Sequence, residues 1–196
     1  MLQRAAAIIG GGAATRFGGR DKSRLVIGGL SIINRQVAAL QPLVDEIFIV
    51  ASQHDRFADT PWRVVPDAFP GTGVVGAIAT ALGATTADLV VTIGCDLPFL
   101  PERLLARLAE RAAEPGADAA WVRTAAGPEP LVACYRRSAA AAIQRAIADG
   151  HLRAGALGEW LTIREIGIDE LRTFGDPARL LANINSPNDL ITIERS

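Results

Sequence analysis

Ala5-Ala6-Ala7-Ile8-Ile9-Gly10-Gly11-Gly12-Ala13-Ala14-Thr15-Arg16-Phe17-Gly18-Gly19-Arg20-Asp21-Lys22 is the stretch that decides how the chain reads. Ala5 to Ile9 is an uninterrupted apolar run, the pattern of a strand buried on both faces of a parallel sheet. Three glycines follow at once, and they let the backbone turn sharply and come close to a ligand. Successive bare N–H groups in such a turn ring an anion or read the edge of a base. Arg16 and Lys22 add the positive charge that a phosphate chain needs. Strand end, glycine turn and cations together read as a nucleoside triphosphate site over Ile9, Gly10, Gly11, Gly12 and Lys22.

Neither of the two best-known phosphate loops fits. A P-loop requires Gly-Lys-Ser/Thr, which does not follow Gly12, and the dinucleotide fingerprint G-x-G-x-x-G meets Thr15 where its last glycine belongs. A nicotinamide-dependent oxidoreductase is disfavoured on that ground.

Outward from this stretch, apolar runs alternate with helical patterns, which predicts βα units and a mainly parallel sheet. Strands are expected at Ala5–Ile9, Glu46–Ala51, Trp62–Val65 and Leu89–Gly94. Leu25 to Ile27 with Gly28-Gly29 reads as a short extended piece and turn, and Ser31 as the cap of a helix through Ile32, Ile33, Val37 and Leu40. Gly71 to Gly76 reads as a loop opening a helix from Ala77 to Gly83, and Pro101 as the start of a helix to Ala113. Ala119–Arg123 and Leu131–Tyr135 read as an antiparallel pair joined by a turn at Ala125-Ala126-Gly127-Pro128. Further helices are expected at Ser138–Asp149 and Leu152–Leu161, an edge strand at Thr162–Ile168, and a short C-terminal helix capped by Ser186 with Pro187 in its first position.

Composition agrees with one α/β domain over residues 1–196, with 49% apolar residues and a formal net charge of −1. That charge argues against a protein whose main partner is nucleic acid. Cys95 and Cys134 fall in apolar runs and read as buried thiols of a reducing compartment. His54 and His151 stand alone, so no Cys/His metal cluster and no Ser/His/Asp arrangement is expected. The N-terminal run is too short for a signal peptide, and no stretch reaches the about 20 apolar residues that span a bilayer. The expectation is a cytoplasmic protein without membrane contact.

The N-terminal stretch resembles the sugar-nucleotide and cofactor nucleotidyltransferases, with their Leu-Ala-Ala/Gly-Gly, then Arg-Met-Gly and a later Lys. Within that superfamily, Arg16-Phe17-Gly18-Gly19-Arg20-Asp21-Lys22 is most similar to the Arg-Met-Gly-Gly-x-Asp-Lys of the molybdenum cofactor guanylyltransferases. Gly10 stands where that family usually has Ala, and Phe17 where it usually has Met. The resemblance implies a Rossmann-like, three-layer α/β/α nucleotidyltransferase domain with an antiparallel addition to its sheet. It implies transfer of GMP from GTP to molybdopterin, with Mg2+ as cofactor. Molybdoenzymes or molybdenum-insertion proteins would be partners.

Asp96 lies two residues past the end of the strand Leu89–Gly94, and a carboxylate past a strand end faces the crevice where open α/β sheets bind ligands. Mg2+ favours one or two carboxylates plus phosphates and waters, so a single aspartate suffices as protein ligand. Cys95-Asp96-Leu97-Pro98 matches the family's metal-binding Cys-Asp-x-Pro. Asp67 precedes the second glycine loop, and a carboxylate matches the N1 and N2 donors of guanine. The family has Gly-Pro-Leu-Gly-Gly in that loop; Gly73-Val74-Val75-Gly76-Ala77 lacks the proline and carries alanine for the second glycine.

Lys22 is the expected stabiliser of the transferring phosphoryl group, and Arg16 the clamp on the departing β- and γ-phosphates. Asn183-Ile184-Asn185-Ser186-Pro187-Asn188-Asp189-Leu190 resembles the family's Asn-x-Asn-Thr-Pro-Glu-x-Leu, which assigns Asn183 and Asn185 to the acceptor; the same residues also make a good helix start. Glu129-Pro130-Leu131 stands where relatives carry a polar residue and then Pro before a strand, and the resemblance implies a place for it in the lining of the acceptor site. Two other readings stay open here: a cytidylyltransferase acting on the pterin or another small phosphate acceptor, and a nucleotide-binding subunit without turnover.

Overall fold

The elements follow one another as β1 (Arg4–Ile9), β2 (Val26–Ile27), β3 (Leu30–Ser31), α1 (Ile32–Leu40), β4 (Glu46–Ala51), β5 (Arg63–Pro66), α2 (Gly73–Gly83), β6 (Leu89–Gly94), α3 (Glu102–Ala113), β7 (Ala119–Thr124), β8 (Gly127–Arg136), α4 (Ala140–Ala148), β9 (Ile163–Ile166), α5 (Ile168–Arg172) and α6 (Pro177–Leu180). The structure, a computed structural model, describes residues 2–10, 25–52, 57 and 60–184.

The seven-stranded sheet has the order β5-β4-β1-β6-β8-β7-β9. β1 pairs in parallel with β4 and β6, β4 in parallel with β5, and β7 in parallel with β9; in this sheet only the pairings of β8 are antiparallel. The chain leaves β1 towards β4 and β5, then returns to β6 on the other flank of β1. That reversal makes a crevice at the carboxyl ends of β1, β4 and β6, the place where open α/β sheets take their ligands.

Both faces of β1 are covered, which is why its sequence shows no polar alternation. Ala6 and Ile8 face Ile33, Val37 and Leu40 of α1 and the apolar stripe of α3. Ala5, Ala7 and Ile9 face Val75, Ile78 and Leu82 of α2, in a core that also holds Ile143 and Ala146 of α4. Ser31 caps α1 as expected, its Oγ accepting from Asn34 N at 3.3 Å.

Several expected boundaries move, each for a physical reason. α2 begins at Gly73, so Gly73 to Gly76 is the first turn of a helix and not a loop. A Cβ on Gly76 would lie 1.8 Å from Thr72 Oγ1 and 2.8 Å from Phe69 O, so close packing, not loop freedom, requires that glycine. β8 starts at Gly127, well before Leu131. Among the described residues its first half pairs only with β7, since β6 joins it from Val132 onward, and a strand segment without a second neighbour tolerates Pro128 and Pro130. The ladder shifts between Trp121 and Val122. Beside that shift, Pro130 O accepts from the buried hydroxyls of Tyr135 at 3.0 Å and Thr92 at 3.4 Å.

β5 runs one residue later than expected, over Arg63–Pro66. The helix expected over Leu152–Leu161 is a 3-10 turn over Ala154–Glu159, and the expected edge strand is shorter, Ile163–Ile166. α4 is preceded by a 3-10 turn over Arg137–Ala139. α5 and α6 were not expected. They bring Leu171 and Leu180 onto the α1–α3 face, while Glu170 ties α5 to Arg107 and Arg111 of α3. The expected C-terminal helix around Ser186 and Pro187 lies outside the described residues.

Candidate active site

A cavity of about 600 Å3 opens at the carboxyl ends of β1, β4 and β6, within the size range of small-ligand sites. Ile9 ends β1 in it, Val50, Ala51 and Ser52 come from the end of β4, and Gly94, Cys95 and Asp96 from the end of β6. Asp67 enters after β5, Gly73, Val74 and Ala77 from the start of α2, and Leu131 from β8. Three of the residues singled out in the sequence, Ile9, Asp67 and Asp96, therefore meet around one space, although long stretches of chain separate them. Gly10 adjoins it: its N–H donates to Val50 O at 2.7 Å and carries the β1–β4 ladder one residue further. Gly11, Gly12, Arg16 and Lys22 lie outside the described residues, as do His54 and Asn185.

Among the described residues, Asp67 is held on one side only. Its Oδ1 accepts from Phe69 N at 2.9 Å and from Thr80 Oγ1 at 3.1 Å. Thr80, buried on α2, accepts from Ala68 N at 3.0 Å and has a second acceptor in Gly76 O at 2.8 Å. The turn that carries the carboxylate is thus tied to α2, and among the described residues Oδ2 accepts no hydrogen bond. A carboxylate fixed through one oxygen offers the other to a donor on a ligand. The N-terminus of α2 borders the same cavity and adds a positive dipole end there.

Asp96 sits in a turn closed by Leu97 N donating to Gly94 O at 3.3 Å. Cys95 N donates to Ile9 O at 3.1 Å, which fastens the turn to the end of β1. A Cβ on Gly94 would lie 2.8 Å from Asp96 Oδ1, so the carboxylate occupies space that only glycine leaves open. One carboxylate folded over a strand end, in the lining of the cavity, fits the donor set of a hard divalent cation that takes its remaining ligands from phosphates and water.

The C-terminal segment reaches the same turn. Ile184 N donates to Asp96 O at 3.0 Å, and the Ile184 side chain is buried against Ile27 and Ile32. Asn183 beside it is exposed and does not line the cavity. Glu129 is half-buried, and desolvation holds its carboxyl above the usual glutamate range. Cys134 is fully buried and burial pushes its thiol up to about 12, so it packs and does not act as a nucleophile.

Sequence reasoning missed Ser52, Thr80 and Gln36, a buried residue of α1 whose amide nitrogen donates to Gly94 O and Leu97 O. Ser52 was within reach, because any polar residue just past a parallel strand end is a candidate. Thr80 and Gln36 give no such signal, since a lone polar residue on an apolar helix face shows its partner only in three dimensions.

Fold and site together define a nucleotide-binding α/β protein of the nucleotidyltransferase type. The family described as MobA-like NTP transferase domain matches residues 6–161, and the chain belongs to it. A relative from Chloroflexus aggregans, named "Probable molybdenum cofactor guanylyltransferase", is 34% identical over 193 residues, covering 95% of this chain and 91% of that protein. The molybdenum cofactor guanylyltransferase of Shewanella putrefaciens is 30% identical over 185 residues, covering 92% and 91%. Among solved structures, molybdopterin-guanine dinucleotide biosynthesis protein A from Archaeoglobus fulgidus superposes with a TM-score of 0.80 at 26% identity, covering 97% of each chain.

Proposed function

We propose that the chain is a single nucleotidyltransferase domain that transfers GMP from GTP to molybdopterin, giving the guanine dinucleotide form of the cofactor and pyrophosphate. The observation that supports this best is the convergence of Asp67 and Asp96 on one cavity at the sheet's reversal point, in a chain of the MobA-like family. Asp67 takes the guanine edge through Oδ2, accepting the N1 and N2 protons; cytosine does not present that donor pair. Ile9, Gly10, Gly11 and Gly12 bring backbone close to the nucleotide.

Asp96 holds Mg2+ together with the substrate phosphates. When bound there, Mg2+ supplies positive charge against the triphosphate oxygens. The terminal phosphate of the pterin attacks the α-phosphorus in line, the bond to the β-phosphate oxygen breaks, and pyrophosphate leaves. Lys22 stabilises charge on the transferring group and Arg16 clamps the leaving phosphates. The nucleophile is already anionic, so no side chain has to remove a proton. Asn183 and Asn185 are assigned to the acceptor, outside the lining of the cavity itself, and the hydrogen bond from Ile184 N to Asp96 O beside Asn183 supports that assignment.

Lys22→Ala and Asp96→Ala test these roles. Each is expected to lower turnover by about 10²- to 10³-fold while the unfolding midpoint stays near that of the parent. Near-parental transfer by either variant removes its assigned role.

A further inference from the structure

We infer that Gln36 is a positioning residue for Asp96, reaching across from α1 to set the turn that carries the metal-holding carboxylate, which rests on Asp96 being the Mg2+ ligand. Gln36 is 2% exposed, and its Nε2 donates to Gly94 O at 2.7 Å and to Leu97 O at 3.0 Å. These two carbonyls bracket Cys95 and Asp96. Both amide protons are used, and because both partners are acceptors, the amide can face them only with its nitrogen.

The other end of the same side chain points to a role beyond packing. Gln36 Oε1 is buried and has no hydrogen-bond partner among the described residues. A buried acceptor without a donor destabilises a fold, and a methionine or leucine on this face of α1 would not carry that penalty. What only the amide provides is a pair of donors held at a fixed separation. Added to the Ile184 tie on Asp96 O, it gives the carbonyls of Gly94, Asp96 and Leu97 donors from two other parts of the chain. The direction of a carboxylate depends on its backbone, so fixing these carbonyls fixes where the Asp96 oxygens lie. Partners one step behind a metal ligand tune metal affinity in this way.

The readout is the metal linkage of GTP binding, measured by calorimetry on the full chain as the ratio of the dissociation constant in EDTA to that in excess Mg2+. The parent is expected to show a large ratio and Asp96→Asn a strongly reduced one. Gln36→Met is expected to lower the ratio by about tenfold and leave the constant in EDTA unchanged. Gln36→Glu keeps the shape, supplies at most one donor and is expected to lower the ratio too; it carries the test where the methionine variant does not fold. Parental ratios in folded Gln36 variants, beside a reduced ratio in Asp96→Asn, would overturn the role of Gln36 alone. A parent whose GTP affinity ignores Mg2+ would overturn the role of Asp96 and that of Gln36 with it.

Discussion

The backbone N–H of Ile184 donates to the carbonyl oxygen of Asp96 at 3.0 Å, joining the last described stretch of the chain to the turn at the end of β6. Ile184 is fully buried, so the tie is anchored by packing as well as by the hydrogen bond. Two motifs separated by most of the second half of the sequence share one backbone contact, and a disturbance of either reaches the other.

Ile184→Ala tests that coupling. Loss of a fully buried isoleucine side chain is expected to lower stability by about 2–5 kcal/mol, read from the denaturant midpoint. Pyrophosphate release per folded molecule should fall as well, because the Asp96 turn loses its anchor. Release that merely tracks the folded fraction would mean that the contact is structural only.

Gly94→Ala probes the space beside Asp96. The new Cβ would sit 2.8 Å from Oδ1, so the carboxylate has to move while the strand is retained. Because only the end of one side chain has to shift, stability is expected to change little while Mg2+-dependent turnover falls clearly. Unchanged Mg2+ dependence would show that the observed carboxylate position is not the working one.

Asp67 and Thr80 are expected to act as one unit in base selection. Asp67→Asn exchanges an acceptor for a mixed donor and acceptor, and should lower the preference for GTP over CTP by about 10- to 100-fold. Thr80→Val, which removes the hydroxyl that ties Asp67 Oδ1 to α2, should lower that preference in the same direction by a smaller factor. Comparing the affinities for both nucleotides in each variant is decisive: equal losses for GTP and CTP would take base reading away from Asp67.

Glu129 gives a pH-dependent prediction. Burial raises its folded-state pKa above the ordinary glutamate value, so ionisation works against folding. The penalty is absent below the ordinary value of about 4.3 and complete once the pH exceeds the raised folded value. Glu129→Gln is therefore expected to stabilise the protein at neutral pH and to make no difference in acid. Denaturant midpoints at the two pH values check it, and an equal gain at both would assign the effect to packing.

Much of this site was legible because it obeys one rule. A buried parallel strand announces itself as an apolar run, and the residues just past its carboxyl end face the crevice. That rule located Ile9 and Asp96 without any structure. Asp67 was legible by the same rule, although β5 runs one residue further than its apolar pattern suggests. The first turn of α2 was hidden because its glycines imitate a loop; Gly76 is there so that Thr72 and Phe69 can pack against the helix. The first half of β8 was hidden because Pro128 and Pro130 read as turn residues unless the missing neighbour strand is known. Gln36 and Thr80 were hidden for a deeper reason: their partners, the carbonyls of Gly94 and Leu97 and the carboxylate of Asp67, are brought to them only by the tertiary fold.

Pyrophosphate release from GTP and from CTP, each with Mg2+ and with and without molybdopterin, decides whether the chain is a guanylyltransferase. Release is expected to require the pterin, to favour GTP and to yield a guanine dinucleotide. Release that favours CTP, or GTP binding without release on addition of the pterin, would contradict that assignment.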